Sequence, residues 1–410
     1  MRLLIRSLPF LVAIPMTLVQ AQSEFASELF KLHDEHRINA ITSKRFTQAQ
    51  MLGWLSPLRG QNVFTEERVG TSAEGRPLLL LTVGSGPVRV LLWSQMHGDE
   101  STATMALLDM LQFMAQRPDH PVVSTIRSRL TLLLLPMINP DGAERFERRT
   151  AQLIDMNRDA LALRTPEARA LWGVREQYQP AFGFNLHDQD PRYTAGVSSR
   201  ITAISLLAPA VNDERTDTPG RVKAKQVASV FAAVMDRFIP GHVAKYDDTF
   251  EPRAFGDNIQ KAGTSTILVE SGGWPHDPEK QFLRKLNFVG FLESLYAIAT
   301  EQYLKADVSA YEALPFNAKN AYDLILHNVT YKAGNNVESL QGDLGVNFER
   351  RAESKNGNAS WIGTVTDFGD LSTFGAFEER DGTGLVLDST VVQIDKTFPK
   401  EELLSKLGLK

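Results

Sequence analysis

The 410-residue chain has no cysteine, which excludes a disulfide framework, a thiolate metal site and a lipid-acylated cysteine. It lacks an excess of either charge as well. Forty-four basic residues stand against 49 acidic ones, with no basic stripe, so no nucleic-acid partner is expected. Beyond the amino-terminal segment no apolar run is long enough to span a bilayer. A Gly-x-Ser-x-Gly elbow, a phosphate-binding glycine loop and a dinucleotide fingerprint are all missing, which argues against a serine hydrolase, an NTPase and an NAD enzyme. What remains is the composition of a soluble protein large enough to be held by its core alone.

The amino terminus differs from the rest. Arg2 and Arg6 precede an apolar stretch over residues 8–19, and Val19-Gln20-Ala21 has the small-x-small pattern of a signal-peptidase site. A signal peptide over 1–21, cleaved after Ala21, is therefore expected, with the mature protein secreted or periplasmic. The stretch is shorter than the roughly 20 residues of a spanning helix, so no stable membrane anchor is expected. Little chain separates this leader from the first apolar strands, and no propeptide is expected.

After a helix expected over Ser23 to Arg37 and a turn at "AEGRPLLLL", apolar runs alternate with helical patterns. The runs are "LLLLTVG", "VRVLLWS", "LTLLLLPMI", "FGFNLH", "ITAISLLA" and "TSTILVES", and the helical patterns cover 101–116, 164–178, 222–238 and 278–303. Continuous apolar strands with helices between them predict an α/β fold whose mixed, mostly parallel central sheet is flanked by helices. This unit is expected over 22–305. From 310 to 410 the texture changes to short strands between Gly/Asn/Asp turns ("DLILHNVTYKAGNN", "SWIGTVTDFG", "TGLVLDSTVVQID"), which predicts a small β-rich accessory domain.

In parallel sheets ligands gather at the carboxyl ends of the strands. His97 and Glu100 follow "VRVLLWS", where a helix is expected to begin. Three apart on a helical turn, they share a face and can offer one metal ion a nitrogen and an oxygen, with Gly98 leaving backbone room beside it. Alone, the pair equally suits a surface histidine and a first-turn acid. His187 ends "FGFNLH" and could be a third ligand, or a core histidine satisfied by Asp188. Glu270 ends "TSTILVE", where a carboxylate could act as general base or cap a helix. "NPDG" at 139–142 reads as a turn. The loop it opens carries Arg148, Arg149, Asn157 and Arg158, which either bind a substrate carboxylate and stabilise an oxyanion or form a solvated charge run. "HDEH" at 33–36 reads as a solvated helix face, and His120, His242, His276 and His327 as structural or surface residues.

His97-x-x-Glu100, Asn139-Pro140-Asp141-Gly142, Asn157-Arg158, His187 and Glu270 occur in the order found in zinc carboxypeptidases of the M14 type, and over about residues 45 to 303 the chain resembles that family. The resemblance implies that His97, Glu100 and His187 bind one zinc ion and that Glu270 is the general base of a zinc-activated water. It further implies that Arg148, with Arg149 as a fallback, stabilises the oxyanion, and that Asn157 and Arg158 grip the carboxylate of a peptide. Tyr246 is a rough counterpart of the family's substrate tyrosine. The short interval from Glu100 to His187 is closer to the compact bacterial and cytosolic-type branches, and "HDQDPRYTAG" departs from the digestive pattern. An exported zinc carboxypeptidase acting on peptides with a free carboxylate is the expected function. The alternatives are an amidase or deacylase of cell-wall peptides or N-acyl amino acids, and a non-catalytic binding protein. Oligomeric state stays open.

Overall fold

The computed structural model describes residues 17–334, 337–350 and 361–409. Residues 1–16 of the expected signal segment lie outside the described residues, and helix α1 (Thr17–His36) runs through the expected cleavage point. Among the described residues no helix is long and apolar enough to cross a membrane.

After α1 and α2 (Gln48–Leu55) come β1 (Thr65–Thr71), β2 (Pro77–Val83), β3 (Val88–Trp93), β4 (Leu130–Leu135) and β5 (Phe182–Asp188). The short β6 (Tyr193–Ala195) is followed by β7 (Ile204–Leu207), β8 (Val243–Lys245) and β9 (Ser265–Ser271). Apart from β6 these strands form one sheet in the order β1-β2-β4-β3-β5-β9-β7-β8. The inner four, β4, β3, β5 and β9, are parallel, whereas the β1–β2, β2–β4 and β7–β9 pairs are antiparallel. The mixed, centrally parallel sheet is as expected, and the carboxyl ends of its inner strands open on one edge.

The flanking helices are α3 (Thr102–Gln116), α4 (Pro121–Arg129), α5 (Pro140–Arg145), α6 (Pro166–Tyr178), α7 (Pro219–Met235), α8 (Phe255–Lys261) and α9 (Gln281–Ala299). Strand β4 shows why the apolar runs are continuous. Leu132 and Leu134 enter the core shared with α3, α7 and α9, while Leu133 and Leu135 enter a second core with Leu171 of α6 and Phe255 of α8. Side chains alternate across a strand, so a strand covered on both faces needs apolar residues at every position.

Several expectations are corrected. "NPDG" opens α5 rather than a turn: Asn139 caps the helix by accepting the Gly142 N–H at 2.9 Å, and Pro140 takes the first position, where no N–H is needed. The helix over 278–303 stops at Ala299, and Gln302–Lys305 forms a separate 3-10 turn. His33 of "HDEH" is not solvated but buried against Asp109.

After α10 (Val308–Glu312), β10 (Asn317–Lys319) pairs with β6. A second sheet comes next, built from β11 (Ala321–Lys332), β12 (Leu340–Arg350), β13 (Trp361–Gly369), β14 (Gly375–Asp381), β15 (Val386–Asp388) and β16 (Thr397–Pro399), with α11 (Lys400–Lys406) beside it. Its apolar clusters draw on residues 322–409. The strand expected over "TGLVLDSTVVQID" shrinks to β15, and Val391 and Val392 reach the core from the turn after it.

Candidate metal centre

The exits of β3 and β4 stay bonded beyond the strands, through Ile138 N–H to Ser94 O at 3.1 Å and Asn139 N–H to Gln95 O at 3.0 Å. His97 and Glu100 lie on a turn before α3, not in its first helical residues, and the Glu100 N–H donates to His97 O at 3.1 Å. The three-residue spacing still aligns their side chains. Gly98 serves a different purpose from the one expected: a Cβ there would stand 2.1 Å from the Gly142 carbonyl carbon, so glycine lets the start of α5 pack against this turn.

His97 Nδ1 lies 2.7 Å from Glu100 Oε1, and His187 Nδ1 lies 2.7 Å from Glu100 Oε2. The three residues form a cluster whose donor atoms lie within 4.8 Å of one another. All three are buried. One nitrogen from each imidazole and a carboxylate form a donor set that suits a zinc ion and leaves a position for water. The His97 ring is held from behind by Asp155, whose Oδ1 lies 3.1 Å from His97 Nε2. A carboxylate behind a histidine ligand fixes its tautomer and orientation. His187 Nε2 is buried with no hydrogen-bond partner, and its Nδ1 faces Glu100 rather than Asp188. Asp188 instead accepts from Thr102 Oγ1 at 2.7 Å and Lys280 Nζ at 3.1 Å, tying β5 to the starts of α3 and α9.

Burial alone would lower the proton affinity of His97, but the Glu100 carboxylate and the contact with Asp155 outweigh it and raise the pKa to about 9. Burial pushes the His187 pKa down. Burial would raise Glu100, yet the two imidazoles hold it well below the usual carboxylate range.

Glu270 pairs in register with His187 across β5 and β9, so both side chains leave the same face of the sheet. Its pKa is raised well above the ordinary value, first by burial and then by the Glu100 charge. Arg148 Nη1 donates to Glu100 Oε1 at 3.1 Å, and its Nε donates to Asp155 Oδ2 at 3.1 Å. Arg149 turns away, donating to Leu153 O at 3.0 Å from an exposed position.

Asn157 Oδ1 accepts the Phe255 N–H at 2.9 Å, fastening the loop to the start of α8. Arg158 pairs with Glu251 at 3.3 Å. Tyr246 follows β8, and burial together with the negative charge of Glu270 raises its phenol pKa. Tyr193 is raised too, by burial, then by Asp190 and Glu270. Sequence reasoning passed over Asp155 and Tyr193. Asp155 stands two residues before Asn157 and could have been noticed there, but only the fold brings Tyr193 under the influence of the Glu270 charge.

The sequence model of the zinc carboxypeptidase family matches residues 52–189. A carboxypeptidase 2 of Trichophyton rubrum is 29% identical over 135 residues, covering 30% of this chain and 24% of that protein. Cytosolic carboxypeptidase 6 of Mus musculus is 26% identical over 124 residues, covering 28% and 24%. The chain thus spans about a quarter of the length of these relatives. The crystal structure of a metallo-carboxypeptidase from Burkholderia cenocepacia superposes with a TM-score of 0.51 at 16% identity, covering 63% of this chain and 70% of that one, and shares the fold.

Proposed function

We propose, from the match of residues 52–189 to the sequence model of the M14 zinc carboxypeptidase family, that the protein is an exported zinc-dependent carboxypeptidase removing a C-terminal residue from a peptide or peptide-like substrate. The observation that carries this reading is the convergence of His97, Glu100 and His187, with Glu270 in register beside His187. The leader over 1–21 supports export.

When bound, zinc supplies Lewis-acid polarisation of the scissile carbonyl and makes water acidic enough to attack near neutral pH. Glu270 accepts the proton of the attacking water on its carboxylate and returns it to the leaving amine, a role suited to its raised proton affinity. Arg148 turns its guanidinium to the oxygen on which negative charge develops. Asn157 keeps its side-chain oxygen on Phe255 and offers its amide nitrogen to the substrate carboxylate. Arg158 exchanges Glu251 for that carboxylate. Tyr246 keeps its proton and serves as a hydrogen-bond donor to substrate.

The 310–410 region acts here as a buttress. Asn317 donates to Gln189 Oε1 at 3.0 Å, and Arg192 pairs with Asp323 at 3.3 Å, so the segment after His187 is pinned by strands of the accessory region. Phe377 packs so tightly on the turn after Glu270 that a Cβ at Gly273 would stand 2.5 Å from its ring.

The test is Glu270→Gln assayed on a panel of peptides, muropeptides and N-acyl amino acids, with zinc measured in the same preparations. Turnover is expected to fall by about 10²- to 10⁴-fold with zinc content unchanged. Undiminished turnover in that variant would overturn the assignment, and the panel identifies the substrate class.

A further inference from the structure

A cavity of about 510 Å³ lies between α1, the turn joining α3 to α4, and α9. It stands at the far end of α3 from the metal centre, about 22 Å of helix away at 1.5 Å per residue. On its lining is Glu293 of α9, which is 1% exposed and whose Oε1 has no hydrogen-bond partner. Buried polar atoms are nearly always paired, and the proposed hydrolysis gives this carboxyl nothing to do.

Two aromatic rings and two further carboxylates stand in the rest of the lining, beside Gln116, Pro118, Pro121 and Gln302. The rings of Phe25 and Tyr296 lie 5.2 Å apart, and Glu28 and Asp119 stand alongside them. His120 caps α4, accepting the Val122 N–H on Nδ1, and its Nε2 stands 3.6 Å from Glu28 Oε1, while burial lowers its proton affinity. Arg117 also lines the cavity, but its Nη1 is 3.4 Å from His36 Nε2. Carboxylates and the negative faces of aromatic rings both select for positive charge.

We propose that this cavity binds a small organic ammonium ion with an apolar body, its nitrogen on Glu293 and its carbon skeleton between Phe25 and Tyr296. Burial pushes the Glu293 carboxyl up to about 8, so an arriving ammonium ion displaces its proton to solvent and leaves a charge-assisted pair. A ligand carboxylate would instead meet Glu28 and Asp119 as like charges.

Calorimetry on the intact chain, with phenethylamine as probe and phenylacetate as its opposite in charge, tests the site. Phenethylamine is expected to bind with a Kd on the order of 0.1 mM and phenylacetate not at all. Glu293→Gln should weaken the amine at least about tenfold, with zinc content and hydrolysis unchanged. Tyr296→Leu should weaken it as well, and it keeps the test open should the Gln variant fail to fold. No heat from phenethylamine, equal binding of phenylacetate, or an affinity indifferent to both substitutions would each overturn the site.

Discussion

Glu100 and Asp109 belong to one stretch of chain, the first on the turn before α3 and the second midway along that helix, and each is buried with histidine and arginine beside it. Asp109 is saturated. Its Oδ1 accepts from the Ile38 N–H at 2.9 Å and from Arg284 Nη2 at 2.5 Å, and its Oδ2 accepts from His33 Nε2 at 2.8 Å and Arg284 Nε at 2.6 Å. Arg284 continues to the carbonyls of Ile38 and Ile41, so α1, α3 and α9 are fastened at one point. Every partner there is a donor serving an acceptor. At Glu100, two imidazole nitrogens that can act as acceptors when neutral are aimed at carboxylate oxygens, the outer nitrogen of His187 has no partner, and Arg148 is partly exposed. Side chains of the same kinds thus hold the fold in one place and hold out ligand atoms in the other. The difference lies in which atoms face inward, not in residue type.

The comparison breaks first, and most heavily, at Asp109. Asp109→Ala leaves Arg284 buried without its counter-charge, and denaturant unfolding should show a loss of about 3–5 kcal/mol. Glu100→Gln should abolish stoichiometric zinc binding while costing the metal-free protein less stability than Asp109→Ala. Equal stability losses with zinc retained in the Glu100 variant would erase the distinction. A smaller effect is expected from Arg148→Ala. In the proposed role of Arg148 as oxyanion donor, its loss should lower kcat by about 10²- to 10³-fold. Arg149→Ala, removing a side chain spent on Leu153 O, should leave kcat within about twofold. A drop for Arg149 as large as that for Arg148 would mean that the loop rearranges on substrate binding.

The range of each interaction decides whether it could be read beforehand. The parallel inner strands were legible because two-sided burial writes an unbroken apolar run into each, and the run in turn locates its carboxyl end. The gathering of His97, Glu100 and His187, with Glu270 in register beside His187, was legible because all four stand at those ends in a familiar order. "NPDG" misled because Asn-Pro is as good a helix start as a turn, and only the Gly142 N–H bonded to Asn139 decides between them. His33 misled because its neighbours Asp34 and Glu35 are exposed, while its own partner lies on α3, far along the chain. The pinning of Gln189 and Arg192 by Asn317 and Asp323 leaves no local trace either, since pairs more than a hundred residues apart have no spacing to recognise.

A third buried carboxyl sharpens the comparison at the small end of the scale. Asp109 has four donors, Glu100 has two imidazoles and an arginine, and Glu293 has an oxygen with none. Its folded pKa of about 8 lies above the ordinary 4.5, the cause being burial, partly offset by the charge of Arg237. The folded state therefore keeps a proton that the unfolded chain gives up, and stability must fall as pH rises from about 4.5 through about 8, levelling off above. Glu293→Gln removes the titration, so the thermal midpoints of variant and parent should lie closest at pH 5 and separate progressively toward pH 8, with the variant higher. Midpoints that run parallel across that range would show that the carboxyl is already ionised in the folded protein, and that Glu293 belongs with Asp109 as a satisfied group.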